Sequence, residues 1–481
     1  MTKPEEHVEE LSNTLSTQVY TLQESQAYLD GEFRLQTLGL GAPPEMRYLQ
    51  VNPGWPSVYL RSIEERLDVE GFRVTGDAEN VEELWKWWQD NDLDEESSLG
   101  HMDALTFGRS YITVAAPGSD DDPDSPIIRL ESPLSMYAEI DPRTHKVTRA
   151  VRLYKTTPDT MIADKATLLL PDRTIYLRSG DGMGAQWVLD GEQEQAIVKH
   201  NLGIVPVIPI TNRSKLSNRY GMSEITPELR QLTDAGSRTL MNLQAASELI
   251  AVPLRGFFGV KKEDFSNSDG STATINDVYY GRMLALENEL GKAFEFKAAD
   301  LRNFVEEMGE LSKQVASLTG LPPQYLAYSS DNPASAEAIQ ASESRLVKTC
   351  ERKARMFGGA WEQAMRLAMM VMGREVPEEY RRLETVWRDP STPTVAAKAD
   401  AAAKLYANGQ GPVPKEQTRI DLGYTATQRE NMREWDKEDK EEMVALTKIL
   451  SPPPASDPSK PTQTKTDTKP ASTSTATAVR R

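Results

Sequence analysis

Four aspartates stand close together in the run Asp120-Asp121-Asp122-Pro123-Asp124. Carboxylate oxygens at this spacing attract Ca²⁺, and a metal ion held there would suit an enzyme that processes nucleic acid. The run lacks the glycine and the distal glutamate of a calcium-binding loop. We therefore expect a solvated acidic turn, and we keep a metal-dependent nucleic-acid-processing enzyme as an alternative.

Other residue types that commonly carry chemistry are scattered along the chain. His7, His101, His145 and His200 stand singly, without the H-E-x-x-H spacing of a zinc site, so we expect surface or turn histidines. Cys350 is the single cysteine and is expected to be a small apolar residue on a helix. The sequence contains no G-x-x-x-x-G-K-S/T motif for ATP. We expect no catalytic residues, no metal and no cofactor, and therefore a protein that is not an enzyme.

One basic row occurs within a long helical pattern. Its side chains recur with gaps of three, four and three residues, which places them on one helix face. They are Arg345, Lys348, Arg352 and Arg355. This face suits contact with DNA or with an acidic neighbouring subunit. The alternative is a solvated face that is paired locally with acids of the same helix, Glu343, Glu351 and Glu362.

Length and composition limit the classes of protein that can position these residues. The 481 residues correspond to roughly three structural units at about 150 residues each. Lys and Arg number 55 against 73 Asp and Glu, and the net charge of −18 excludes the simplest nucleic-acid binder, which needs a basic excess. A protein that surrounds DNA without gripping it is not excluded. No apolar run approaches the ~20 residues of a membrane span, and no secretory signal opens the chain, so we expect a cytoplasmic protein or a particle assembled there.

Hydrophobic periodicity predicts helices at both ends of a β region. Residues 5–30 show one apolar helix face, a second helix follows Asn80 as a plausible N-cap, and a third runs from Leu99 to Phe107. From Arg109 to about Ile210 the period is two, and short strand candidates alternate with turn signals. This pattern predicts an antiparallel β region between helical regions.

Three long helical patterns follow, over residues 225–250, 301–318 and 335–372. The first two carry heptad-like apolar stripes, which favour packing against neighbouring helices. The predicted packing residues are Leu229, Leu232, Leu240, Leu243, Leu301, Phe304, Met308, Leu311, Val315 and Leu318. Residues 253–297 look like a small α/β insert between the two helices. Residues 451–481 hold many Pro, Ser and Thr and no aromatic residue, which predicts a disordered tail.

Several short motifs occur in a characteristic order along residues 10–445. They are Val51–Pro53, Arg66–Phe72, Phe107–Tyr111, Glu131–Pro133, Asp141–Pro142, His200–Val207, Gly221–Ile225 and Trp387–Pro390. Each alone is unspecific, but together their order and spacing resemble the portal proteins of tailed bacteriophages, and most closely the branch found in phages of actinobacteria.

The resemblance implies an α+β subunit. Residues 1–220 would hold the N-terminal helices and a mixed α/β wing, 221–252 and 298–320 two stem helices, and 253–297 a small α/β clip. A tunnel loop would occupy 321–334, a long helix behind that loop 335–373, and a helical crown 374–450. The loop residues expected to face the DNA channel are Tyr325, Tyr328, Ser329, Ser330, Asp331 and Asn332. An ordinary helix-to-helix connection is the alternative for this loop.

The resemblance also implies a function. Twelve copies would form a ring at the portal vertex of the virion, assembled in the host cytoplasm, with double-stranded DNA passing through its channel. Its partners would be the terminase large subunit, the head–tail adaptor, and the major capsid and scaffold proteins, without a membrane. A capsid-associated structural protein that forms no ring is a further alternative.

Overall fold

The computed structural model describes residues 3–35, 50–74, 78–157, 162–180, 186–251, 255–258, 292–295, 301–326, 336–391, 395–407, 410–424 and 426–450. The chain divides into two compact units, one ending at Gly423 and one beginning at Tyr424. In the second unit the described element is one helix, Ala426–Leu450. No helix in the described part of the chain combines the length and apolarity of a membrane span.

Helices and strands alternate in the first unit. The helices are α1 (Pro4–Asp30), α2 (Trp55–Glu64), α3 (Ala78–Asp90), α4 (Leu93–Phe107), α5 (Gln193–Ala196), α6 (Pro227–Ala251), α7 (Arg302–Thr319), α8 (Ala336–Val371), α9 (Val395–Tyr406) and α10 (Lys415–Asp421), and Ala426–Leu450 is α11. The strands are β1 (Val69–Arg73), β2 (Arg109–Ala115), β3 (Ile127–Glu131), β4 (Met136–Ile140), β5 (Val147–Tyr154), β6 (Lys165–Leu169), β7 (Arg173–Ser179), β8 (Trp187–Leu189), β9 (Ile197–Lys199), β10 (Val207–Thr211), β11 (Arg255–Phe258), β12 (Lys292–Glu295) and β13 (Glu384–Trp387). The expected α+β fold is confirmed.

The antiparallel β region forms two sheets. Strands β4, β5, β6, β7 and β8 lie in that order, with β9 also paired to β7, and a smaller sheet has the order β10-β2-β3. Helix α1 covers the larger sheet because Val8, Leu11 and Leu15 project from one helix face into a cluster that includes Val151 and Leu168. The helix ends where Gly31 adopts a left-handed conformation, with φ of 72°.

Helix α8 passes through the main hydrophobic core. Phe357, Trp361 and Met365 are fully buried on one face of this helix. Trp361 packs edge-on against Trp88 of α3, with 4.7 Å between ring centroids. The 36 residues of α8 extend about 54 Å at 1.5 Å per residue. One helix therefore links the core to distant parts of the subunit.

Two of the short sequence motifs meet at the strand pair β1–β13. Val69 lies opposite Trp387 and Arg73 opposite Glu384 in an antiparallel register. Thr385 donates its hydroxyl to the Gly358 carbonyl of α8 at 3.1 Å. A side chain at Gly358 would crowd β13, so glycine permits this close approach.

Two further motifs meet where the chain enters β2 and leaves β10. The amide of Asn212 donates to the Gly108 carbonyl at 2.8 Å, and the amide of Met222 donates to the Asn212 carbonyl at 2.8 Å. Gly221 has φ of 79°, and a Cβ there would overlap the Gly108 carbonyl. The backbones of Gly108 and Gly221 can therefore approach this closely only because neither residue carries a side chain.

Some sequence expectations need correction. Asn80 is not an N-cap, because α3 begins at Ala78. His101 is not at the surface or in a turn: it is fully buried on α4 and accepts a hydrogen bond from the indole nitrogen of Trp361 at 2.9 Å. Residues 374–450 are not wholly helical, because they include β13. Strand β1 also lies outside the predicted β region, which began at Arg109.

The insert at 253–297 is represented by one described strand pair. Strands β11 and β12 are antiparallel, with Arg255 opposite Glu295. The remaining residues of the insert, and the tail at 451–481, lie outside the described part of the chain.

Candidate channel interface

A buried charge pair holds α8 to the body of the subunit. The side chain of Lys353 is 1% exposed and forms an ion pair with Glu224. The carboxylate of Glu224 also accepts hydrogen bonds from the Tyr59 hydroxyl at 2.9 Å and from the Asn212 amide at 2.9 Å. Asn212 in turn accepts from Lys353. Each charged group in this cluster therefore has polar partners, which a buried charge requires.

The environment of this pair shifts the pKa of both groups. Burial raises the pKa of Glu224, but the nearby Lys353 ammonium and the hydrogen bonds from Asn212 and Tyr59 outweigh it, so the pKa lies below its usual value. Burial lowers the pKa of Lys353, and attraction to Glu224 opposes that effect. The carboxylate is therefore ionised at neutral pH, opposite a lysine that it helps to keep protonated.

The opposite face of α8 carries the basic row predicted from the sequence. All four side chains are exposed: Arg345, Lys348, Arg352 and Arg355. Lys348 lies 3.4 Å from Glu351, and Arg345 donates to the Ser317 carbonyl of α7 at 2.7 Å. Across the described residues, Arg352 and Arg355 form no ion pair.

The other two acids that could neutralise this face point elsewhere. The Glu343 side chain is buried and accepts a hydrogen bond from the Tyr325 hydroxyl. Glu362 accepts a hydrogen bond from the Thr385 backbone amide at 3.4 Å. Pairing with Glu343, Glu351 or Glu362 thus accounts only for Lys348. Arg352 and Arg355 present positive charge to water or to a partner, whereas Arg345 is bonded to α7.

The base of the predicted tunnel loop is described as far as Leu326. A short 3-10 turn, Pro323–Tyr325, follows Gly320, which ends α7 with φ of 77°. Tyr325 is half-buried and packs beside the main core. The other predicted channel residues, Tyr328, Ser329, Ser330, Asp331 and Asn332, lie outside the described part of the chain.

Comparisons with known proteins agree on one family. A family model described as "Phage portal protein, SPP1 Gp6-like" matches residues 9–445. The chain belongs to the phage portal protein family. The portal protein of Mycobacterium phage L5 is 49% identical over 437 residues, which cover 90% of this chain and 88% of that protein. The portal protein of Mycobacterium phage D29 is 48% identical over the same shares.

Two solved structures are more distant from this portal-family chain. The neck of a native gene transfer agent particle, computed with C12 symmetry, contains a chain of 14% identity and TM-score 0.38, covering 77% of this chain and 90% of that one. The virion of the native particle gives 14% identity and a TM-score of 0.37, with 84% and 99% covered. TM-scores this low add no argument to the assignment.

The predicted stem-packing residues differ in burial within this portal-family subunit. Leu229 and Val315 are buried, and Leu232, Met308 and Leu311 pack partly buried against the main core. Four further side chains are half-buried: Leu240, Leu243, Leu301 and Phe304. Leu318 is 40% exposed. Val305, which is not among the predicted packing residues, is 64% exposed. Helix α7 therefore buries one apolar edge in its own subunit and leaves apolar side chains in water.

The aspartate run and Cys350 are the residues at which metal or nucleophile chemistry was considered from the sequence. Within the described ranges no group of three or more His, Cys, Asp or Glu side chains is placed to hold a metal ion. Around the aspartate run, Asp121 accepts the Gly118 amide at 2.9 Å and Asp122 accepts the Asp124 amide at 3.0 Å, which is the solvated turn that we expected. Cys350 is buried in the core as predicted, and burial raises the pKa of its thiol to about 11, so it is not a reactive thiolate.

The buried polar residues of α8 were not predicted, although the sequence contains a signal for them. Glu343, Leu346, Cys350, Lys353 and Phe357 follow one another at gaps of three, four, three and four, which is the spacing of a buried stripe. A charged residue inside such a stripe needs a buried partner. Glu343 and Lys353 therefore could have been assigned to polar contacts beneath the helix rather than to its surface.

Proposed function

We propose that copies of this chain form a closed ring at one vertex of a phage capsid, with a central channel for DNA packaging and ejection. Family membership carries this proposal. The exposed side chains of Val305 and Leu318 on α7 support this proposal. A ring of heterologous contacts needs apolar surface that is directed at the next copy. Twelve copies are proposed on the family resemblance.

The ring would act as a passive docking site at the portal vertex of the virion, after assembly in the host cytoplasm. The sequence has no P-loop motif, so a separate ATPase, the terminase large subunit, would supply the energy for packaging. The proposed further partners are the head–tail adaptor at the clip, residues 253–297, and the major capsid and scaffold proteins around the ring.

The acidic charge of the chain suits a channel that does not hold its DNA. A wall rich in Lys and Arg would bind phosphates strongly, whereas an acidic wall repels them and permits sliding. Helix α7 exposes the carboxylates of Glu306, Glu307 and Glu310, the last of which pairs with Lys313 at 2.6 Å. We propose that this helix contributes to such a wall.

The tunnel loop, residues 321–334, would supply the few polar contacts to the DNA backbone. Its tip, Tyr328 to Asn332, is polar and carries one acid, which suits transient contact with phosphates. Replacing the tip by two or three glycines should leave rings intact but reduce the DNA packaged or retained per particle. Arginine at Ser329 and Ser330 should slow translocation, most strongly at low salt, because screening is weakest there. Normal filling by both variants would leave the loop as an ordinary connection.

Negative-stain electron microscopy of the purified protein tests the ring itself. We expect particles with a central hole, seen alone or with the capsid and scaffold proteins. A compact monomer under all these conditions would favour the metal-dependent enzyme, and association with shell fragments without a ring would favour a non-ring capsid protein.

A further inference from the structure

Three elements meet at the hydroxyl group of Tyr325. This hydroxyl donates to the Glu343 carboxylate at 2.7 Å and accepts from the Arg66 guanidinium at 3.0 Å. Arg66 also lies 3.7 Å from Glu343 and donates to the Ser62 carbonyl at 3.0 Å. We refer to Arg66, Tyr325 and Glu343 as the Tyr325 cluster.

The Tyr325 cluster joins distant segments of the chain. Arg66 follows α2, Glu343 lies in α8, and Tyr325 ends the 3-10 turn after α7. The side chains of Arg66 and Glu343 are only 10% and 7% exposed. A hydrogen bond between a hydroxyl and a charged group is stronger than one between neutral groups, and burial reduces competition from water. The hydroxyl therefore ties the turn to both helices.

We propose that the Tyr325 cluster is a positioning device for the tunnel loop, and this inference rests on the proposed function. Tyr325 precedes the loop tip, Tyr328 to Asn332, in the chain, so the cluster fixes one end of the loop relative to α2 and α8. A functional loop acts accurately only when supporting side chains hold its base. Tyr325 itself contacts no DNA in this proposal and acts through the loop tip.

The proposal predicts a separation between loop order and fold stability. In Tyr325→Phe the ring remains to pack against the core, and the Arg66–Glu343 pair remains to balance charge. The body should therefore stay folded, while the turn loses its polar tie and opens more often. A purely structural role would instead lower the stability of the whole subunit without a selective effect at the turn.

Amide hydrogen exchange on the full chain tests this directly. We expect exchange of residues 321–326 to be roughly ten-fold faster in Tyr325→Phe, with unchanged exchange in β2 and the middle of α8. Rings should form normally, and particles should package or retain less DNA. Tyr20→Phe is the matched control, because it removes a hydroxyl from a side chain that is 76% exposed, and it should leave exchange and packaging unchanged.

A second variant guards against misfolding. Glu343→Gln alone would leave Arg66 buried without a counter-charge, so the double variant Arg66→Met with Glu343→Leu is preferable. Apolar replacement of a buried ion pair commonly preserves the fold, and this double variant should reproduce the faster exchange at 321–326 and the packaging defect.

Two results would overturn the proposal. Unchanged exchange at 321–326 in Tyr325→Phe would show that the cluster does not hold the turn. Faster exchange with normal packaging and DNA retention would show that the loop needs no fixed base. If wild-type protein forms no ring and packages no DNA, the proposed function fails, and the exchange measurement still decides whether the cluster holds the turn.

Discussion

Lys353 and Glu224 form an ion pair beneath α8, whereas Arg352, the residue before Lys353 on the same helix, is exposed. Adjacent basic residues of one helix thus have opposite environments. Lys353 balances a carboxylate inside the protein, whereas Arg352 is available to a partner outside it. The helix uses charge both to attach itself to the subunit and to present a surface.

Removing one member of the buried pair should be costly. We expect Glu224→Ala to lower the free energy of unfolding by about 3–5 kcal/mol, because Lys353 would remain buried without a counter-charge. The double variant Lys353→Met with Glu224→Leu should recover most of that loss. Urea denaturation measures both. The exposed pair Lys348–Glu351 is the control, and its double alanine variant should change stability by less than about 1 kcal/mol.

The two leucines of α7 should respond differently to a charge. Leu311 packs against the core of its own subunit, so Leu311→Asp should destabilise the monomer as well as the ring. Leu318 is exposed in the subunit, so Leu318→Asp should leave the monomer folded and weaken only the ring. Truncation at Ser451 should do neither. Sedimentation and thermal unfolding separate these cases, and normal rings from Leu318→Asp would remove that residue from the subunit interface.

Reversing the charge of the basic row should affect assembly or packaging without unfolding the subunit. Arg352→Glu with Arg355→Glu changes two exposed side chains without ion pairs in the described structure, so we expect a stability change within about 0.5 kcal/mol. Packaged DNA should fall. If packaging falls because rings are missing, the face contacts a neighbouring subunit. If packaging falls although rings are normal, the face contacts DNA. Arg143→Glu, in an exposed turn, is the control; normal rings and normal packaging in the double variant would contradict a role for this face.

His101 should make the subunit sensitive to mild acid. Burial lowers its pKa from 6.5 to about 3, so the folded state keeps the imidazole neutral while the unfolded state takes up a proton below pH 6.5. Because the unfolded state then binds more protons, stability falls as pH decreases from about 6.5 to about 3. His101→Gln can still accept from Trp361 but does not titrate. As the pH falls through this range, the free energy of unfolding should decrease more steeply for the wild type than for this variant. The difference between the two slopes should reach up to about 1.4 kcal/mol per pH unit.

Urea denaturation at several pH values between 7 and 4.5 compares the two slopes. His145→Asn, in an exposed turn, is the matched control and should keep the slope of the wild type. Parallel curves for wild type and His101→Gln would contradict a neutral buried imidazole.

Periodic segments of this fold were predictable, and contacts between distant segments were not. The stripe of α1 and the heptad-like patterns of α6 and α7 depend on local spacing, which a sequence displays directly. Strand β13 has four residues and is specified mainly by its pairing with β1, so no local pattern indicated it. His101 illustrates the same limit, because its burial depends on Trp361, far away in the chain.

The candidate channel interface shows the same difference between local patterns, which were predictable, and contacts between distant segments, which were not. The basic row was visible because exposed charges at helical spacing can be read from one segment. The Tyr325 cluster was not, since Arg66, Tyr325 and Glu343 come from three segments that only the fold brings together.

The pairing of β1 with β13 has a consequence for synthesis of the protein. Val69 finds its partner only after the ribosome has translated Trp387, so the main core stays open through most of translation. Contacts between such distant segments form slowly and leave strand edges and apolar side chains exposed meanwhile. The nascent chain is therefore expected to depend on chaperones until Trp387 has been translated. A chain that is released before Trp387 would lack β13 and could not complete the main core.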